Sequence, residues 1–303
     1  MILIKTKMHN KAIISLFSIL VLAASCTKDT TLVDKTAAVD PLVIVPPVAP
    51  PTIATDSTLI MGNPSNASTN PADIGNYLLR EGYYSVSYNR DRGIANWVSW
   101  HTVSTDYGSV PRQDDFRSNP NLPSGWYQVT NVSYGNSGFD RGHLCPSADR
   151  TSSIVANSST FLMTNMIPQA PTNNQITWAR LEDYCRTLVQ GGSELYIIAG
   201  AYGEGGSTSA GGVQNTLDNG RVTVPSTLWK VILVLPNGSN DLNRVGNATR
   251  VISVVMPNQD GLSSDWKIYR NSVDFIEQET GLNLLSNLST SIQNNVEARV
   301  DNL

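Results

Sequence analysis

Hydrophobic and polar positions alternate in short runs along most of the chain, and turn formers separate the runs. Six segments mix β-branched and aromatic residues at strand spacing: 83–88 (YYSVSY), 95–103 (ANWVSWHTV), 160–164 (TFLMT), 194–199 (ELYIIA), 228–235 (LWKVILVL) and 250–256 (RVISVVM). The segment 174–189 (NQITWARLEDYCRTLV) has a different period. Its Trp178, Leu181, Cys185 and Leu188 fall at i, i+3, i+7 and i+10 and share one helical face. Weaker helical patterns cover 271–279 and 287–298, and the Gly/Ser-rich stretch 203–220 reads as a loop. The pattern predicts an α+β fold with a mixed or antiparallel sheet and one well-marked helix following a strand. No internal repeat is visible.

The start of the chain reads as an address. Lys5, Lys7 and Lys11 lead into a 13-residue apolar run, Ala12–Ala24, followed by Ser25-Cys26. Crossing the hydrocarbon core takes ~20 apolar residues, so the run reads as the centre of an export signal. Leu22-Ala23-Ala24-Ser25-Cys26 resembles the lipobox of bacterial lipoproteins, in which the Cys is lipidated and becomes the mature N-terminus. An ordinary signal peptide with a chance Cys is the plainer alternative. Residues 26–58 are rich in Thr, Pro, Ala and Val, and Pro46-Pro47 and Pro50-Pro51 favour an extended tether. The expected organisation is a signal over 1–25, a tether over 26–58 and a folded domain over 59–303. The domain would lie outside the cytoplasm, held through Cys26 at a membrane, an outer membrane above all.

Composition narrows the function classes. Of 303 residues 40% are hydrophobic and 15% charged, enough for a sizeable core. Lys and Arg number 21 against 25 Asp and Glu, a net charge of −4, and removal of residues 1–25 leaves 18 against 25, or −7. Bulk charge therefore gives no sign of a strongly basic nucleic-acid binder. Three His and three Cys exclude a multi-finger zinc protein and a dense disulfide scaffold. With Cys26 lipidated, Cys145 and Cys185 remain. Two cysteines in an oxidising compartment tend to pair, which predicts a Cys145–Cys185 disulfide, with two buried thiols as the alternative. Such a bridge closes a loop of about 40 residues, for which chain entropy gives on the order of 4 kcal/mol.

Few residues can do chemistry. His101 sits within a strand pattern and reads as structural. His143 lies in Phe139-Asp140-Arg141-Gly142-His143-Leu144-Cys145-Pro146, where an acid, a guanidinium, a glycine and an imidazole stand in a row. Gly142 would permit a tight bend that presents His143 to a phosphate, with Arg141 supplying fixed charge. Downstream, Thr164-Asn165-Met166-Ile167-Pro168-Gln169 ends a strand, and Asn173-Asn174 leads into the helix. An Asn side-chain oxygen is a hard ligand that suits Mg²⁺. Glu182 and Arg186 are i, i+4 neighbours on that helix and can pair.

These segments together resemble the DNA/RNA non-specific endonucleases, the ββα-metal or His-Me finger nucleases with a DRGH motif. The matching elements are Asp140-Arg141-Gly142-His143, Thr164–Gln169, Asn174, Trp178 and Leu181-Glu182, in the family's order and spacing. Tyr88-Asn89, Trp97-Val98 and Arg112…Phe116 fit upstream, and Val224-Pro225…Trp229-Lys230 downstream, so the resemblance covers roughly residues 60–285.

The resemblance implies a ββα-metal active site with a long metal-bearing helix, hydrolysing phosphodiester bonds in DNA and RNA to 5′-phosphate and 3′-hydroxyl ends. It implies one Mg²⁺, or Mn²⁺, whose direct protein ligand is Asn174. His143 matches the general base, and Arg112 the arginine that neutralises the reacting phosphate, with Arg117 as the alternative. Arg141 matches an arginine near the substrate phosphate and Asn165 a residue that orders the site beside the substrate. Glu182 matches a holder of metal-bound water and Arg186 a supporting basic residue on the same helix. Asp140 and Gly142 are architectural by the same match. Two competing readings are a catalytically inactive surface lipoprotein that captures nucleic acid and a structural envelope lipoprotein.

Overall fold

The computed structural model describes residues 57–303. The signal segment, Cys26 and the tether up to residue 56 lie outside the described residues. The elements run in the order β1 (Tyr77–Arg80), β2 (Ser85–Asn89), β3 (Ile94–Thr102), β4 (Asp140–His143), α1 (Ile154–Ser159), β5 (Met166–Gln169), α2 (Ala179–Gln190) and β6 (Ser193–Tyr202). Four short strands follow: β7 (Gly206–Thr208), β8 (Gly212–Gln214), β9 (Thr216–Leu217) and β10 (Val222–Thr223). The chain continues with β11 (Thr227–Pro236), α3 (Asp241–Arg244), β12 (Arg250–Pro257), α4 (Val273–Thr280) and α5 (Thr290–Val296).

A six-stranded sheet in the order β1-β2-β3-β6-β11-β12 forms the frame, and every neighbouring pair is antiparallel. Its central strands are apolar on both faces, because both faces are covered. Along β6, Leu195, Ile197 and Ala199 face one core, while Tyr196 and Ile198 face the other. Along β11, Leu228 and Ile232 alternate in the same way with Trp229, Val231 and Leu233. The first core takes Trp178, Leu181, Cys185 and Val189 from α2 and its approach; the second takes Val273 and Ile276 of α4 with Leu284, Leu285 and Val296. The sheet therefore separates α2 from α4 and α5. Gly200 sits where β3 and the Trp229 ring meet β6: a Cβ there would lie 2.3 Å from the Asn96 carbonyl oxygen and 2.6 Å from that ring.

Four of the six strand expectations correspond closely to β3, β6, β11 and β12, and the segment 83–88 overlaps β2. The sixth does not: residues 160–164 are buried but form a turn and a 3₁₀ segment, Met163–Asn165, with the strand starting only at Met166. Apolar burial alone produced that pattern. The loop expected over 203–220 contains the β7–β8 hairpin. Thr58, placed in the tether by composition, is buried, and its carbonyl accepts the Ser99 hydroxyl at 2.6 Å, so the fold includes Ser57 and Thr58. Cys145 and Cys185 are both buried free thiols, and no disulfide joins them. Burial pushes each thiol up to about 12, which keeps it protonated and inert.

Candidate active site

A two-stranded ribbon and the helix after it build the site. β4 is the Asp140-Arg141-Gly142-His143 segment itself, paired antiparallel with β5 from Asp140↔Gln169 to His143↔Met166. Gly142 therefore lies in a strand, and the tight bend expected there is absent. A glycine is required for another reason: a Cβ at Gly142 would fall 2.2 Å from Gln169 Oε1 and 2.6 Å from its Cβ. After β5 the chain enters a π-helical turn, Asn173–Trp178, before α2 begins. π-turns are rare and concentrate at functional sites. Here Asp140 Oδ2 accepts both the Asn174 and the Gln175 side-chain amides, each at 2.8 Å, which ties the ribbon to the head of the helix. Asn258 fixes the other side. Its Oδ1 accepts the Ala170 N–H and its Nδ2 donates to the Pro168 and Pro225 carbonyls.

His143 stands at the end of β4 in an aromatic and cationic box. Its ring meets Phe161 edge-on at 4.9 Å and Phe116 at 5.6 Å. Nε2 is buried without a hydrogen-bond partner among the described residues. Burial first, then the positive charges of Arg112 and Arg141, push the imidazole down to about 3. The ring is thus neutral at neutral pH.

Both arginines lean on the same rings. The Arg141 guanidinium lies 4.1 Å from the Phe116 centroid and donates to the Asn131 carbonyl; that of Arg112 lies 4.8 Å from the Phe161 centroid. Arg112 is held by Ser147 Oγ at 2.8 Å and Asp114 at 2.6 Å. Arg117, the alternative from sequence, donates instead to Asp115 and to the Ser158 carbonyl. The structure brings Arg112, and not Arg117, to the His143 rings. Arg112→Ala is expected to lower kcat/KM by roughly 10²-fold, with Arg117→Ala within a few-fold of wild type. Steady-state cleavage of plasmid by the two variants checks this, and the reverse order would reassign the role.

A model of the DNA/RNA non-specific endonuclease family matches residues 61–291. The chain belongs to that family. A nuclease of Nostoc sp. is 45% identical over 258 residues, which cover 85% of this chain and 91% of the relative. Human mitochondrial endonuclease G is 32% identical over 151 residues, 48% of each chain. A chain in the crystal structure of the EndoG/EndoGI complex shares the fold, with a TM-score of 0.62 at 23% identity over 77% of this chain and 91% of that one.

The remaining residues singled out in this endonuclease serve as braces. Asn165 is fully buried: its Oδ1 accepts the Cys145 N–H, and its Nδ2 donates to the Cys145 and Thr160 carbonyls. It orders the turn after β4 and has no polar atom left to offer a substrate. Glu182 does not pair with Arg186. Its partner is Lys230 of β11, at 3.0 Å, and burial raises the Glu182 carboxyl although Lys230 opposes the rise. Arg186 pairs with Asp183 at 2.5 Å and with buried Asp149 at 3.3 Å. Asp149 also accepts Trp100 Nε1, so this network joins α2, the sheet and the turn after β4. His101 is structural as expected: it stacks on Tyr196 and bonds Glu194 at 3.0 Å. Phe161, Asp140 as a clamp and Asn258 went unrecognised or undervalued in the sequence. The aromatic next to a buried turn and the Asn173-Asn174-Gln175 run were the available signals.

Proposed function

We propose that this endonuclease hydrolyses phosphodiester bonds of both DNA and RNA, with His143 as general base and one Mg²⁺, or Mn²⁺, on Asn174. The observation that carries the reading is the His143 box: a neutral imidazole between two arginines that also suit a phosphodiester anion. Asn174 fits the metal. Its Nδ2 is spent on Asp140, and its Oδ1 accepts no hydrogen bond among the described residues, leaving a hard oxygen oriented by a carboxylate. When bound there, the ion polarises the scissile phosphate and stabilises the leaving 3′ oxygen. Nε2 of His143 is enclosed, so Nδ1 is the nitrogen that meets the attacking water and takes its proton. Arg112 and Arg141 bind the phosphate and favour its added charge. Water attack with departure of the 3′ oxygen leaves 5′-phosphate and 3′-hydroxyl ends. Contacts with the backbone alone explain indifference to base and sugar.

The test is cleavage of supercoiled plasmid and of structured RNA by the purified protein, with Mg²⁺ and with EDTA. Cleavage of both, abolished by EDTA and reduced at least tenfold in Asn174→Ala at about millimolar Mg²⁺, is the expected result. Binding without cleavage across divalent ions would favour the nucleic-acid capture reading. Export and lipidation at Cys26 belong to the same proposal and rest on the lipobox-like Leu22–Cys26. Labelling of cells with a tagged fatty acid should mark the wild type and not Cys26→Ala; equal labelling rules out this anchor.

A further inference from the structure

We propose that Asp274, Glu277 and Glu297 bind one calcium-type divalent cation on the side of the sheet opposite the active site. Asp274 and Glu277 are i, i+3 neighbours on α4, and Glu297 caps the end of α5. The Asp274 N–H donates to the Glu297 carbonyl at 3.2 Å, which brings the helix ends together. One carboxylate oxygen from each of the three lies within 4.8 Å of the other two. Two oxygens on one Ca²⁺ at about 2.4 Å each are at most about 4.8 Å apart, so every pair of the three meets the spacing that a shared ion requires.

A second observation points to a ligand. Glu297 is 5% exposed, and its Oε1 is buried with no hydrogen-bond partner among the described residues. Among the described residues, the groups acting on its carboxyl are the other two carboxylates and the Leu285 N–H, with no Lys, Arg or His among them. Burial, Glu277 and Asp274 together push Glu297 up to about 7. Glu277 is likewise raised by burial and spends one oxygen on the Leu284 N–H, at 2.7 Å. Three carboxylates are thus gathered at the rim of a core, and among the described residues no Lys, Arg or His acts on Glu277 or Glu297. A buried carboxylate left in that state is costly, and a hard divalent cation removes both the repulsion and the unpaired oxygen. Calcium suits the site better than magnesium, because it takes six to eight oxygens in loose geometry and sheds water readily. Glu297 is buried, Glu277 half-buried and Asp274 exposed, so the site opens outward through Asp274. The ion would pin the segment 282–297 to α4. It takes no part in hydrolysis, since α4 and α5 pack on the face opposite α2.

The experiment uses the full chain, stripped with chelator, and measures Ca²⁺ binding by calorimetry and thermal unfolding with and without about 5 mM Ca²⁺. Asn174→Ala is included to remove the active-site ligand. The expected result is one Ca²⁺ per chain in Asn174→Ala and a Tm rise of a few degrees, with at least a tenfold loss of affinity in Asn174→Ala carrying Asp274→Asn or Glu297→Gln. Asp274 is exposed, so Asp274→Asn keeps the fold if Glu297→Gln does not. No Ca²⁺ bound by Asn174→Ala, or undiminished binding in the carboxylate variants, overturns the site. So does a Tm that rises in Glu297→Gln and ignores Ca²⁺, which would mark a proton-binding cluster.

Discussion

Replacing His143 with alanine is expected to lower kcat on plasmid by about 10²- to 10⁴-fold, the range for loss of a positioned general base. The fold should survive, because the half-buried ring contributes contacts with Phe116 and Phe161 but no hydrogen bond through Nε2. The imidazole sits at about 3 in the free protein, against 6.5 for an ordinary histidine. Its protonation therefore does not limit kcat/KM near pH 6, and the acidic limb belongs well below that. The same shift bears on stability. The unfolded chain takes up the proton first as pH falls, so His143 contributes stability that is complete above about 6.5 and is lost progressively as pH falls toward 3. His143→Gln lacks this loss. Urea unfolding at pH 7 and pH 5 should show a smaller drop for the variant than for the wild type. An equal drop would remove the stability role, and near-wild-type turnover in His143→Ala would remove His143 as the base.

The β4–β5 ribbon was legible because several weak motifs occurred together in one order. Asp140–His143 followed by Thr164–Gln169 and Asn174 is an ordered set of residue types that no periodicity argument supplies. The central strands were legible from β-branched runs, since covering both faces makes them nearly all apolar. What escaped depends on distance or on backbone detail. The π-turn Asn173–Trp178 has the same residue spacing as an α-helix start, so only the backbone hydrogen bonds distinguish it. Residues 160–164 showed that burial mimics strand patterning in short segments. Glu182 and Arg186 were paired by local spacing, whereas folding presents Glu182 to Lys230, 48 residues away. The cysteines illustrate the limit of counting: each thiol fills a place in the core between α2 and the sheet, and neither needs the other.

Lys230 carries the second large effect. Its side chain is 1% exposed and that of Glu182 13%, with 3.0 Å between ammonium and carboxylate. The ammonium also lies 4.3 Å from the Trp178 ring and 5.4 Å from that of Trp100. Lys230→Met removes the charge and keeps the volume, but it leaves Glu182 buried without its cation. Breaking such a pair typically costs about 3–5 kcal/mol, which for a domain of this size lowers Tm by roughly 6–20 °C. Glu182 is already raised by burial, and without Lys230 it rises further. A raised carboxyl is neutral, and therefore tolerated, below its unfolded value near 4.5; it becomes destabilising as pH rises through its folded value. The variant's deficit should accordingly be smaller at pH 5 than at pH 8. Adding Glu182→Gln to Lys230→Met should recover part of the lost Tm, since the stranded charge is gone. Differential scanning calorimetry of the single and double variants decides it. A Tm within two or three degrees of wild type for Lys230→Met alone would mean that water reaches Glu182 and that the pair is not a buried one. The activity of the double variant carries separate information. Trp178 ends the π-turn that carries Asn174, and Lys230 stacks on Trp178, so the pair supports the position of Asn174 through that ring. If stability returns while cleavage does not, the pair serves the active site as well as the core.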